Sequence, residues 1–305
     1  MVPPASAPPA NRMLPVALLG LIGVLWGFFF VLIKTGVTGG VAPMNYLFWF
    51  ALIAGTVLLA IGRVRGAWPR ARRVHLAFYF KAGLVRFTFA NIILYTVQGK
   101  LPVGLMAILM AFVPIFTHGF SLAFGIERLA WRRLGGILLA LAGVLLIVVP
   151  KSGLPDPALA IWVLIGLGAP LLHGLGYVML SEKNRPPDAD SLSIACGTLY
   201  ATAVMVLPLA IGFGHFNFVA PPFSPGELAM MTHAVLAAFN FYAIFELIRM
   251  NGPTYMSQAN FLSVLFGVIF GIFIFGEVHS AYVWGAMTLI VGGVALVNLR
   301  RKTVE

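Results

Sequence analysis

Polar side chains that could hold a small molecule recur inside long apolar stretches of this sequence. Asn91, Tyr95 and Gln98 lie within about 60° of one another on an α-helical wheel, so they form a polar stripe. His233 and Asn240 are seven residues apart and also share a helix face. Polar groups surrounded by apolar sequence usually face the interior of a helix bundle. Substrate binding and simple joining of helices are both open for these stripes.

Catalysis is not indicated by the same residues. No Asp lies within an apolar stretch to orient His118, His173 or His233. The sequence has no HExxH, Gly-x-Ser-x-Gly, phosphate-loop or metal-ligand pattern. The single Cys196 allows no disulfide within one chain and is typical of a small buried hydrophobe. The sequence therefore predicts no enzyme, no cofactor and no metal.

Three charged residues within or beside apolar stretches are candidates for substrate charge or ion coupling. Arg86 is the deepest cation, but on a uniform α-helix it lies about 140° from Asn91, and snorkelling to the cytoplasm is an alternative. Lys34 ends the first stretch, where snorkelling is the usual behaviour. Glu246 lies one turn before Arg249, and this spacing favours a local ion pair.

The elements that carry these residues are predicted to be membrane helices. The chain has 305 residues, of which 60% are hydrophobic and 10% are charged, whereas a soluble domain carries roughly 25% charged residues. Continuous apolar runs of about 20 residues favour an all-α integral membrane protein over a barrel of alternating strands. The ten predicted spans are 14–36, 43–62, 75–98, 102–124, 131–150, 158–181, 191–213, 227–249, 254–275 and 279–299.

Basic residues set the predicted orientation. With the amino terminus inside, 15 of the 20 Lys and Arg residues fall in inner segments, and only Lys100 and Lys151 fall in outer loops. This bias predicts a multi-pass cell-membrane protein, in bacteria of the inner membrane, with both termini in the cytoplasm. The net charge of +11 is explained by this placement, so the expected partners are the lipid bilayer and a small molecule, with no nucleic acid.

A helix–Glu–helix pattern occurs twice, about 150 residues apart. The segment from Phe124 to Glu127 returns as Phe275 to Glu277, and Gly143 aligns with Gly293. Such self-similarity indicates two structural halves, and five spans per half make the second half inverted, as in many secondary transporters. Channels and membrane enzymes can also be duplicated. The predicted divisions are a disordered tail (1–13), two repeats (14–150 and 151–299) and a basic tail (300–305).

The repeat also predicts which residues lie at the centre. Gly27 pairs with Gly174 at an offset of 147 residues. Two further pairs follow near the membrane midplane, Trp26 with His173 and Phe30 with Tyr177. They are candidates for lining a substrate pathway, although helix packing would explain them too. In the ninth span Tyr255 and Gln258 share a face and join the candidates.

Other residues predict bends and an aromatic boundary. Gly166 to Pro170 should allow span six to bend, and Pro114 predicts a kink in span four that its counterpart Val264 lacks. Tyr46 and Trp49 near the outer end of span two are typical of an interfacial belt. The many Phe residues mostly face lipid or pack between helices, although some could stack on a flat or apolar side chain.

These features resemble the drug/metabolite transporter superfamily, in its ten-helix EamA-type branch. The resemblance covers nearly the whole chain. It is carried by Trp26-Gly27 and Lys34 in span one, Pro114 to Glu127 in span four, Gly135 to Gly143 in span five, and the echoes of these last segments around Glu277, Gly285 and Gly293. Within the superfamily the chain is similar to aromatic amino-acid exporters of the YddG type. The resemblance implies export of amino acids with aromatic or hydrophobic side chains by alternating access. Multidrug, nucleoside or other metabolite export is the alternative, and a channel or membrane enzyme is the alternative from another class.

The acidic residues bear on the energy source. All nine lie in loops, at span ends or at the terminus, and none falls securely at the midplane. Ion-coupled carriers commonly need an intramembrane carboxylate, so facilitated efflux or exchange is expected. His173 is the rival, because it could carry a proton near neutral pH. Spans five and ten have few polar residues and should be peripheral, which makes a homodimer a candidate assembly.

Overall fold

The structure is a computed structural model that describes residues 13–66, 68–125, 131–148, 156–179, 186, 189–251 and 259–298. Within these ranges the chain is helical and contains no strand. Six helical segments are long and apolar enough to cross a membrane, and they coincide with predicted spans one to four, six and seven. Two shorter apolar helices cover Leu262–Phe275 and Ala281–Gly293. The predicted all-α membrane architecture is confirmed at this level.

The described part of the first half contains seven α-helices and one π-helix: α1 (Met13–Thr38), α2 (Pro43–Arg65), α3 (Arg73–Ala82), the π-helix (Gly83–Phe89), α4 (Ala90–Gln98), α5 (Val103–Met110), α6 (Val113–Ala123) and α7 (Trp131–Val148). The described part of the second half begins with a 3-10 turn (Pro157–Leu159). It continues with α8 (Ala160–Gly166), α9 (Gly168–Met179), α10 (Ser191–Gly212), α11 (Pro225–Asn251), α12 (Ala259–Phe275) and α13 (Ala281–Asn298).

Prolines interrupt two of these segments where the sequence predicts bends. Pro114 has no N–H for the carbonyl of Met110, and the helix stops at that residue before α6 begins. Its counterpart Val264 lies inside the continuous helix α12, so the predicted difference between the halves is confirmed. Pro170 likewise cannot bond the carbonyl of Gly166, and α8 ends there.

The packing of the helices repeats when the two halves are exchanged. Helix α1 packs on α11 and α12, and correspondingly α9 packs on the π-helix, α4 and α6. Helix α2 packs on α11, as α10 packs on α3 and the π-helix. Three pairs map onto themselves: α2 with α10, α5 with α12, and α7 with α13. This pattern is what a two-fold axis between the halves would produce.

Two glycines show the same correspondence in atomic detail. A Cβ on Gly27 would lie 2.6 Å from Cβ of Phe266 and 3.0 Å from its carbonyl carbon. A Cβ on Gly174 would lie 2.8 Å from Cβ of Phe116 and 3.0 Å from its carbonyl carbon. Neither position has room for a side chain, because the obstacle includes backbone. These glycines let α1 approach α12, and α9 approach α6, at very short range.

Contacts along the helices define their relative directions. Helix α9 runs antiparallel to the segment Arg73–Gln98, because Gly176 faces Arg86 whereas Gly168 faces Ile93. Helix α10 runs parallel to α3, since Gly197 faces Tyr79 and, further along both segments, Gly83 faces Thr202. It runs antiparallel to α2, and a short turn at 39–42 makes α2 antiparallel to α1. Together these relations make α1 and α9 antiparallel.

Candidate substrate-binding site

Arg86 lies at the middle of the helical segment Arg73–Gln98 and within the π-helix. Its guanidinium carbon lies 3.9 Å from the centroid of the Tyr177 ring. Its side chain also passes over Gly176, where an added Cβ would lie 2.6 Å from Cβ of Arg86. His173, one turn before Tyr177, lies within electrostatic range of the guanidinium. The structure thus brings three predicted site residues together, and the guanidinium stacks on α9 rather than snorkelling to a helix end.

The π-helix explains why the uniform-helix estimate misplaced Arg86. Residues in a π-helix turn through fewer degrees than the 100° of an α-helix, because each N–H bonds five residues back. The five steps along the chain from Arg86 to Asn91 begin inside this π-helix. The angle between the two side chains is therefore smaller than the roughly 140° expected for an α-helix. Arg86 is turned towards the side of the helix that carries Asn91.

The corresponding residues of α1 have different surroundings. Phe30 is buried, and its ring lies 3.4 Å from where a Cβ on Gly267 would be, so it packs against α12. Trp26 is half-buried and packs against the apolar core. Tyr177, the counterpart of Phe30, stacks instead on Arg86. The backbone packing is symmetric, whereas the chemistry of the two central helices is not.

A buried aromatic cluster links α1, α2, α4 and α11. Tyr46 and Nδ1 of His233 form a hydrogen bond of 3.1 Å. The rings of Phe29 and Phe50 lie 4.6 and 4.5 Å from the imidazole. Tyr95 stacks edge-on against Tyr46 at 4.9 Å. Tyr46 is fully buried, so the prediction that it belongs to an interfacial belt is wrong: its hydroxyl finds a partner in the bundle instead of in water.

The sequence missed most of this aromatic cluster. Only Tyr95 stood among the predicted site residues, because it belongs to a stripe on a single helix. The other members lie on three further helices, and no spacing within one helix connects them. His233 carried a signal as a polar residue in an apolar stretch, but its partner on α2 could not be read from the sequence.

Three buried amide side chains lie on the helices beside this cluster. Gln98 has zero exposure, and neither atom of its amide has a hydrogen-bond partner in the described part of the chain. Asn240 is buried with an equally unpartnered oxygen, and Asn91 is also buried. Phe87 of the π-helix lies 6.4 Å from Phe241, so α11 faces the π-helix next to Asn240. Buried polar atoms without partners are places where a ligand or water would bind.

Three predicted residues cannot be compared with the structure. Tyr255 and Gln258 lie outside the described residues. Glu246 belongs to α11, but its side chain lies outside the described part. Their assignment to a site stays a prediction.

Lys34 lies at the end of the bundle where α1 stops. Its ammonium donates a hydrogen bond of 2.7 Å to the carbonyl of Leu101 and lies 5.8 Å from the centroid of the Phe275 ring. The carbonyl before α5 supplies an acceptor within the protein at this end of the bundle. Lys34 thus ties α1 to the start of α5.

Glu277 binds the amino terminus of α5 from the other half of the chain. Its carboxylate accepts hydrogen bonds from the N–H groups of Val103 and Gly104, the latter at 3.0 Å. Gly276, at φ 63°, reverses the chain after α12 and directs Glu277 towards α5. The Nε2 atom of His279 lies 3.5 Å from the same carboxylate. A carboxylate is favourable there because it satisfies free N–H groups and the positive end of the helix dipole. Glu127, its repeat counterpart, lies outside the described residues.

Residues 14–149 and 160–299 each match the EamA-like transporter family. The inner membrane transporter YedA of Escherichia coli (strain K12) is 29% identical over 299 residues, covering 95% of this chain and 92% of YedA. The transporter YvbV of Bacillus subtilis (strain 168) is 24% identical over 293 residues, covering 93% and 92% of the two chains. The matches extend along both halves, as the sequence resemblance predicts.

Two further similarities concern substrate and fold. A probable terminal-alkyne amino-acid exporter of Streptantibioticus cattleyicolor is 26% identical over 204 residues, covering 67% of this chain and 66% of that protein. The crystal structure of another protein superposes with a TM-score of 0.60 at 20% identity, covering 94% of this chain and 98% of that one. The second similarity establishes a shared fold.

Proposed function

Because this chain belongs to the EamA-like transporter family, we propose that it exports small organic metabolites by alternating access. The preferred substrates are amino acids with aromatic or other hydrophobic side chains. The observation that carries this proposal is the meeting of Arg86, His173 and Tyr177 at the level of the middle of the segment Arg73–Gln98. Cationic, aromatic and amide groups at the centre of a membrane protein suit a substrate that is both polar and apolar.

The proposed architecture has ten membrane-spanning helices in two inverted halves, with both termini in the cytoplasm. Three observations support it: the exchange-symmetric packing, the antiparallel relation of α1 and α9, and the bias of basic residues towards one side. An in-plane two-fold axis would then pass between α1 and α9. Inverted halves allow the same packing to occur in two states related by the two-fold rotation, one open to each side of the membrane, which is the basis of alternating access.

The helices fall into two groups that suit a rocking movement. Helix α1 packs with α11 and α12, and α9 packs with the π-helix, α4 and α6. Each group therefore combines one helix from one half with helices from the other. We assign the substrate to the space between the groups. The proposed ligands are Trp26, Phe30, Asn91, Tyr95, Gln98, His173, Tyr177, Asn240, Tyr255 and Gln258, of which Tyr255 and Gln258 lie outside the described residues.

Counterflow in proteoliposomes tests the proposed function. Vesicles loaded with unlabelled compound should accumulate labelled compound transiently, because a carrier exchanges one molecule for another. The panel should include aromatic and aliphatic amino acids, nucleosides and cationic drugs. Preference for aromatic amino acids supports the proposal, and uptake confined to cationic drugs contradicts the substrate class. Flux that neither saturates nor shows counterflow would indicate a channel.

The proposed transport is facilitated efflux or exchange, without strong ion coupling. None of the described carboxylates lies beside Arg86, and Glu277 is occupied at a helix terminus. Liposome uptake with and without an imposed pH gradient tests this part. Uphill accumulation driven by the gradient, and lost in His173→Ala, would replace it with proton coupling through that imidazole.

A further inference from the structure

We infer that Arg86 is the anchor for an anionic group of the transported molecule, so that the substrate carries a carboxylate. The inference rests on the proposed function, because it assigns a ligand to the same central site. It goes further by naming the residue that binds the carboxylate of those substrates. Three observations carry it: the position of Arg86, the unpartnered Nη1 of its guanidinium, and the contrast with the other half.

The position of Arg86 makes its charge expensive unless it serves a purpose. It lies at the middle of the segment Arg73–Gln98. Cations in the centre of a membrane protein are rare and usually face a partner or a water-filled cavity. None of the carboxylate side chains that the structure describes forms an ion pair with it. A counter-charge for Arg86 is therefore missing from the described part of the protein.

The guanidinium of Arg86 keeps a buried donor nitrogen, Nη1, without a partner among the described residues. The ring of Tyr177 covers one face of the group at 3.9 Å. Stacking uses the face only, whereas the N–H donors point outwards in the plane. A carboxylate matches such an edge with two parallel N–H···O bonds. Tyr177 thus holds the plane in place and leaves the edge for an anion.

At the position in the other half that corresponds to Arg86, the polar side chain has a hydrogen-bond partner within the protein. Exchange of the halves maps the contact of Gly176 with Arg86 onto that of Phe29 with His233. There the polar group is bonded to the Tyr46 hydroxyl at 3.1 Å. Arg86 has no such internal partner in the described chain. The symmetry is broken at the residue where a ligand would supply the missing bond.

Three matched probes separate the carboxylate from the rest of the molecule: L-phenylalanine, 3-phenylpropanoate and L-phenylalaninamide. Binding to purified protein in detergent is measured by ligand-induced thermal stabilisation, and transport by counterflow. We expect wild-type protein to prefer both carboxylates over the amide. Arg86→Met should weaken both carboxylates by about tenfold to a hundredfold and leave the amide nearly unchanged, as loss of a charge-assisted hydrogen bond predicts. Arg86→Lys should retain part of the preference.

Arg63→Met is the matched control. Arg63 is exposed at the end of α2, where it lies over Trp68, so its removal takes away one cation without touching the centre. This variant should keep the wild-type ratio of carboxylate to amide. That ratio, measured within each variant, does not depend on how much protein folds. Inorganic phosphate and methanesulfonate, added as competitors, distinguish a carboxylate site from a general anion site.

The outcomes are separable. An Arg86→Met protein with the wild-type ratio, or with equal losses for all three probes, would overturn the anchor while the transporter assignment stands. Competition by phosphate or methanesulfonate as strong as by 3-phenylpropanoate would overturn the carboxylate class. Absence of counterflow in the wild type would contradict the proposed function, and the binding arm would still decide whether Arg86 reads a carboxylate.

Discussion

The close approach of the helices at Gly27 and Gly174 can be tested by adding one methyl group to each. Gly27→Ala would bring a Cβ to 2.6 Å from Cβ of Phe266, and Gly174→Ala would bring one to 2.8 Å from Cβ of Phe116. A normal carbon contact needs at least ~3.5 Å, so the helices would have to separate by about 0.9 and 0.7 Å respectively. Because backbone lies among the obstacles, no side-chain rotation relieves these clashes.

The expected magnitude follows from two opposing contributions. Gly to Ala inside a helix stabilises by up to about 1 kcal/mol through helix propensity. Overpacking of this kind costs about 1–3 kcal/mol. Gly20 and Gly119 have nothing within 4 Å of an added Cβ, so Ala at either position should gain the helix propensity without the cost of overpacking. Relative to these controls, Gly27→Ala and Gly174→Ala should each lose about 1–3 kcal/mol of stability.

Thermal unfolding of the purified variants in detergent, followed by tryptophan fluorescence, measures the differences. Gly20→Ala is the control for Gly27→Ala on the same helix, α1. Gly119→Ala is the control for Gly174→Ala, because Gly119 lies on α6, the helix that Gly174 packs against. Both tight variants should unfold at lower temperature than their controls, by similar amounts. Unfolding midpoints equal to those of the controls would refute the close approach. A loss at only one of the two sites would refute the correspondence between the halves.

Three further predictions concern polar contacts, each read from unfolding in detergent. Tyr46→Phe should cost about 1–3 kcal/mol because it leaves His233 buried without its partner; a double variant with His233→Phe should lose less than the sum, and strict additivity would contradict the hydrogen bond. Glu277→Ala should cost about 0.5–2 kcal/mol through loss of the cap on α5, and Glu277→Gln should lose less; equal losses would argue against capping. Burial lowers the pKa of His279 from 6.5, while Glu277 opposes the shift. The free energy of unfolding should therefore be unaffected by His279 above pH 6.5 and should fall as the pH drops below that value, because the unfolded chain binds the proton more readily than the folded chain. His279→Gln should flatten the acid side of the stability curve, and an unchanged curve would refute this role.

Patterns within one helix made part of this structure predictable. Apolar length located the spans, and the difference between Pro114 and Val264 predicted a break in one half only. The pairing of Gly27 with Gly174 agrees with the packing, because a glycine at a helix crossing leaves a mark in the sequence of both repeats. These features depend on local chemistry or on duplication, which a single sequence records.

Features that depend on two helices, or on a change of helix type, were not predictable. Tyr46 and His233 lie 187 residues apart, and no pattern in the sequence around either residue predicts the hydrogen bond between them. Glu277 looked like a marker of the repeat, and its role as a cap follows only from the position of α5. Arg86 was assigned an angle for an ordinary α-helix, and the sequence gives no signal for the π-helix that changes it.

The π-helix has a consequence for the length of its segment. A π-helical stretch is what remains when one extra residue is accommodated in an α-helix without breaking it. Gly83–Phe89 therefore places the extra residue between α3, which packs on α10, and α4, which packs on α9. Deleting one residue and restoring a uniform α-helix would leave the phase of the two ends nearly unchanged, because the smaller turn of each π-helical residue offsets the extra residue. The contacts with α10 and α9 would then both persist, so a one-residue deletion here should be tolerated better than one in α4, where the full turn of about 100° applies.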